Sequence, residues 1–152
     1  MSSHALAVSA SSEQPLPDGF VGVVSGPVTD EVTVYNTCYK SVWVATLQSL
    51  SYSCSISSCP PTSWEAKGWW EIRARNKRSF SFSKPTYASS RILLWVEDGS
   101  GSNLVTNAWP GVSSCVDNDA FNLKTEGGAP SCGLNGSYLS PKQSGVVIDQ
   151  CD

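Results

Sequence analysis

Residues 32–47 read VTVYNTCYKSVWVATL, and this stretch decides the fold. Val32 and Val34 alternate with Thr33 and Tyr35, and Val42 and Val44 alternate with Trp43 and Ala45. Successive side chains of a strand point to opposite faces, so a period of two rich in β-branched and aromatic residues marks strands lying on a core. The same pattern recurs outward from here. Phe80 and Phe82 alternate with Ser81 and Ser83, and Ile92, Leu94 and Val96 alternate with Leu93 and Trp95. No ten-residue window shows a capped helical stripe.

Turn chemistry separates these runs. Strand signals begin at Val21, Gly26-Pro27 precedes the second strand, Cys59-Pro60-Pro61 closes a Ser-rich loop, Asn76-Lys77 lies between two strand-like stretches, and DGSGSN (98–103) and EGGAP (126–130) are joints. Seven or eight short strands at this spacing predict an all-β, single-domain antiparallel β-sandwich or small barrel. Residues 1–20, Ser/Ala-rich and then carrying Pro15 and Pro17, read as a disordered lead-in, which leaves 21–152 as the domain. A chain of 152 residues fits one such core.

Composition narrows the function. Charged residues make up 15% of the chain and the net charge is −3, which argues against a general nucleic-acid binder. No run of eighteen apolar residues exists, so no transmembrane helix is expected. The six cysteines, Cys38, Cys54, Cys59, Cys115, Cys132 and Cys151, are even in number and scattered through a loop-rich chain. That usage predicts a disulfide-stapled domain in an oxidising, extracellular compartment. Six cysteines allow fifteen pairings. The short Ser-rich loop predicts only that Cys54 joins Cys59. The stretch Ala5-Leu6-Ala7-Val8 is too short for a signal-peptide core, so the expectation is a secreted chain without its leader.

Three stretches carry a resemblance. They are VTVYN (32–36) followed by VWVATL (42–47), WEAKGWWEI (64–72), and WPGVSSCVDNDAFNL (109–123), with VVIDQ (146–150) at the end. Together they resemble the domain of unknown function 1036 family, small, mostly bacterial and often exported domains. The resemblance covers residues 31–150. This chain has Tyr35 where the family has cysteine in its first strand, and RARNKRSF (73–80) where the family has Pro-Gly and a cysteine. The insertion SYSCSISSCPP (51–61) brings two further cysteines, so neither a disulfide map nor a mechanism carries over.

No catalytic constellation is visible. The only histidine is His4 in the lead-in, the cysteines are assigned to disulfides, and Glu65, Glu71, Glu97, Asp98, Asp117 and Asp119 read as solvated loop and edge carboxylates. Neither the alternation of Asp98, Ser100 and Ser102 nor the run Asp117-Asn118-Asp119 matches a calcium loop, and no cofactor or metal is called for. The sequence therefore points to a non-enzymatic binding module. Six tryptophans, Trp43, Trp64, Trp69, Trp70, Trp95 and Trp109, are its best ligand-reading groups. Alternation places Trp70 inward with Ile72 and Trp69 outward with Glu71. Trp64 and Trp109, near turns, are the next candidates for exposure. Arg73 and Arg75, on one face of the same strand, would suit an anionic group or would simply guard a sheet edge. The expected ligand is a glycan or another cell-surface component. The alternative is a secreted effector, lipid-binding or structural sandwich acting through a protein or lipid partner.

Overall fold

The computed structural model describes residues 8–20, 31–58, 61–81, 92–99, 102–105, 108–115, 121–126 and 135–150. They form an all-β fold of two sheets. Its strands are β1 (Ser9–Ala10), β2 (Gln14–Pro15), β3 (Glu31–Asn36), β4 (Val42–Tyr52), β5 (Pro61–Ile72), β6 (Asn76–Ser81), β7 (Leu93–Glu97), β8 (Ala108–Cys115), β9 (Phe121–Glu126), β10 (Asn135–Pro141) and β11 (Gly145–Ile148). One sheet runs β1-β6-β3-β11, with β2 also on β6. The other runs β8-β10-β7-β4-β5-β9. Every pairing is antiparallel except β11 with β3.

The expected alternation builds the core between the sheets. Val32, Val34, Phe80, Val146 and Ile148 from the first sheet meet Val42, Val44, Ile72, Leu94 and Val96 from the second, and all are buried. Each such side chain contributes roughly 1.5–3 kcal/mol of burial. Trp70 packs on this cluster and meets the Phe80 ring edge-on, with centroids 5.4 Å apart. Asn36, fully buried at the end of β3, locks the following turn. Its Nδ2 donates to the carbonyls of Lys40, Ile72 and Arg73 at 2.9, 3.0 and 3.1 Å, and its Oδ1 accepts from the Cys38 N–H at 3.0 Å.

Three local expectations are corrected. Residues 8–20 are not a disordered lead-in: β1 and β2 extend the edge of β6, and Val8 and Leu16 are buried. Two apolar anchors and the Glu13 carboxylate, which accepts from the Arg73 N–H at 2.7 Å, hold the segment down. Arg73 and Arg75 do not share a strand face. They stand in the β5–β6 turn at 73–75, and Asn76-Lys77 opens β6 instead of making that turn. Strands β4 and β5 are also long, at 11 and 12 residues, where short ones were expected.

A bulge in β5 overturns a fourth reading. Val44 opposes Trp70 but Thr46 opposes Lys67, so Gly68 and Trp69 together face Ala45. An extra residue shifts the side-chain parity of everything beyond it. Glu65, read as a solvated carboxylate, thereby falls opposite Gln48 on the side of Val42 and Val44, and both are buried. Cys59, Cys132 and Cys151 lie outside the described residues, as do Asp117 and Asp119, and Cys115 is placed in β8 through its backbone alone.

Candidate aromatic and carboxylate site

The outer face of the six-stranded sheet carries most of the tryptophans. Ala45, Leu47, Ala66, Leu93 and Tyr138 form a second buried cluster there, and Trp64, Trp69 and Trp95 pack against it. Trp69 and Trp70 thus lie on opposite faces, with Trp70 against the inter-sheet core. Trp69 leans on apolar neighbours and is only partly exposed, and so is Trp64, which sits well inside β5. Burial pushes the Tyr138 hydroxyl pKa well above the usual tyrosine value. Trp109 stands opposite Ser140 in the β8–β10 pair, and its side chain is outside the described residues.

The most open tryptophan among the described side chains is one that the sequence motifs do not single out. Trp43 is 37% exposed. It opposes Glu97 on β7 and Glu71 on β5, so a single row across three strands reads Glu97–Trp43–Glu71. Directly opposed antiparallel residues share a face, with Cβ atoms about 4.5–5.5 Å apart. The signal was present in VWVATL, where Trp43 takes the parity opposite to the core valines.

Both carboxylates are oriented. The Trp95 Nε1–H donates to Glu97 Oε2 at 2.8 Å, and the Ser41 hydroxyl donates to Glu71 Oε2 at 2.7 Å. Beside them Lys40 Nζ lies 2.9 Å from Asp98 Oδ2, which takes Asp98 out of solvent. Tyr39 is 87% exposed, with the Arg75 guanidinium 5.8 Å from its ring centroid. The row therefore offers an aromatic surface bracketed by two fixed hydrogen-bond acceptors.

The arginines are not brought to this row as ligand groups. Arg73 Nε lies 3.6 Å from Glu13 Oε1. Arg75 has a φ of 57°, and its guanidinium donates to the carbonyls of Thr37 at 3.2 Å and Phe20 at 3.4 Å. Arg78 donates to the carbonyls of Ser11 at 2.7 Å and Glu71 at 3.0 Å. These contacts tie the N-terminal segment and the β3–β4 turn to the β5–β6 hairpin.

No helix among the described residues is long and apolar enough to cross a membrane. No family model, curated protein or solved structure matches this chain.

Proposed function

We propose that this chain is a secreted, disulfide-stapled, non-enzymatic binding module that takes a glycan on the outer face of the six-stranded sheet, centred on Trp43. The observation that carries the reading is the row Glu97–Trp43–Glu71. An exposed indole stacks on the apolar face of a sugar ring, and ionised carboxylates accept hydrogen bonds from its hydroxyls. Trp69 and Trp64 pack on the buried cluster of that same face, and Arg73 and Arg75 stand apart in the β5–β6 turn. The likeness to the domain of unknown function 1036 family belongs to the same proposal.

Two observations support the stapled, extracellular part. Neither Cys38 nor Cys54 is a free thiol. The Cys38 Sγ is buried and lies 3.7 Å from the Ile148 carbonyl, three residues short of Cys151.

A glycan array, followed by titration of tryptophan fluorescence with each hit, tests the function. Saturable quenching that Trp43→Ala abolishes is the expected result, and an array with no hit overturns the reading.

A lipid or protein partner is the second reading, favoured by Ile56. This side chain is fully exposed at the β4–β5 hairpin tip, and no charged residue occurs between Gln48 and Glu65. Pelleting with neutral vesicles, lost on Ile56→Asp, would favour it over the first.

A further inference from the structure

We infer that the ligand of the Trp43 face is cationic: an amino-sugar chain bearing free ammonium groups. The inference rests on the glycan reading above and names its substrate class. It follows from charge that no ion pair among the described residues compensates.

Glu71 and Glu97 lie on strands two spacings apart, roughly 9.5 Å, with the exposed indole between them. Each is held through one oxygen, by Ser41 or by Trp95, and both of those donors are neutral. Neither carboxylate belongs to an ion pair among the described residues. The nearby cations among the described residues hold other groups than these two carboxylates. Lys40 is paired with Asp98, Arg73 with Glu13, and Arg78 donates to two backbone carbonyls, one of them that of Glu71.

A carboxylate only accepts. The two carboxylates reward a ligand rich in donors and repel one carrying sulfate or uronate groups. An ammonium group supplies three donors and a positive charge, and the face of Trp is the best aromatic surface for a cation. A neutral sugar stacked on Trp43 would use the indole but leave the charge complementarity idle. A sugar with a free amine uses both.

The test compares β-1,4-linked glucosamine tetramer with its fully N-acetylated counterpart by calorimetry, at low salt and at a mildly acid pH where the sugar amines are charged. The tetramers share a backbone and differ in having an ammonium or a neutral acetamide. The free-amine tetramer should bind about tenfold more tightly, the size expected from two solvent-facing ion pairs and one cation–π contact together. The isosteric double variant Glu71→Gln/Glu97→Gln, checked for an unchanged melting temperature, should lose most of that preference and keep only the share that the cation–π contact with Trp43 supplies. Equal or tighter binding of the acetylated tetramer by the unaltered protein overturns the cationic inference and leaves the glycan reading standing. A preference that survives undiminished in the double variant does the same. Binding of neither tetramer, with an empty array, removes both readings. Tetralysine binding as tightly as the glucosamine tetramer would show that charge alone is read, and would overturn the assignment to an amino sugar.

Discussion

Gln48 and Glu65 stand opposite each other across β4 and β5, both buried, on the core-facing side of the sheet. Only the bulge at Gly68-Trp69 puts Glu65 there. On β9 the register position opposite Glu65 belongs to Lys124. Removing one member of a buried polar set leaves its neighbours short of a partner, at roughly 1–3 kcal/mol. Glu65→Ala should lower stability by at least that much, and Glu65→Gln by less. Urea denaturation midpoints with an unchanged m-value check it.

The tryptophans should separate by role. Trp70→Ala loses the contact with Phe80 and the cation at Lys67, whose Nζ lies 5.7 Å from the ring centroid. Its cost should approach the ~3–5 kcal/mol of a buried tryptophan. Trp69→Ala should cost less, through lost packing on the outer-face cluster of Ala45, Leu47, Ala66, Leu93 and Tyr138. Trp43→Ala should change stability by under about 1 kcal/mol while abolishing ligand binding. Equal losses at all three positions would refute the division of the sheet into a core face and a binding face.

Asn36 should tolerate nothing. Asn36→Ala frees three carbonyls and one N–H in a buried turn, and several kcal/mol, about 2–4, is the expected loss. Asn36→Asp is worse at neutral pH, because an acceptor-only carboxylate replaces the donor that those carbonyls need. Acidification, which protonates the aspartate, should recover part of that loss. Thermal melts across pH read both.

Tyr138 sets the alkaline limit. Its hydroxyl is buried, has no hydrogen-bond partner among the described residues, and has its pKa raised by burial. Below the ordinary tyrosine pKa, near 10, both folded and unfolded chains are protonated at this site and stability is unaffected by pH. Above it the unfolded chain releases the proton while the folded chain retains it, so stability falls as pH rises. Tyr138→Phe should flatten that fall and leave neutral-pH stability equal or higher. A steeper alkaline loss in the variant would contradict this.

The position of Cys38 beside the Ile148 carbonyl predicts that it pairs with Cys151. Peptide mapping without reductant should recover that linkage, and Cys54 joined to Cys59. Reduction should lower the melting temperature sharply, since native disulfides of small secreted domains are worth about 2–5 kcal/mol.

The sheets were legible where one face is apolar. The alternations at Val32/Val34, Val42/Val44 and Leu94/Val96 correspond to β3, β4 and β7, and Trp70 lies inward as its parity with Ile72 required. What escaped were features without a period. β1 and β2 are two residues each and take their order from β6, not from their own pattern. The turn at 73–75 was hidden because arginines alternating with Ile72 and Ala74 imitate a strand. Glu65 was misplaced because a bulge adds one residue without changing composition. Trp69 and Trp70 stand out in the sequence because they are adjacent, whereas among the described tryptophans the greatest exposure belongs to Trp43, in the row with Glu97 and Glu71.

The parallel pairing of β11 with β3 brings Thr37 to the carbonyl of Ile148, 111 residues later. Closing so large a loop must precede any reward from the contact, and domains dominated by such distant pairings fold in milliseconds to seconds. On a ribosome the delay is longer still. β3 emerges early and finds β6 some forty residues on, but its other edge waits for nearly the whole chain. Until then the backbone of Glu31–Asn36 is a template open to any passing strand, so the nascent protein is most vulnerable to aggregation at its best-formed sheet.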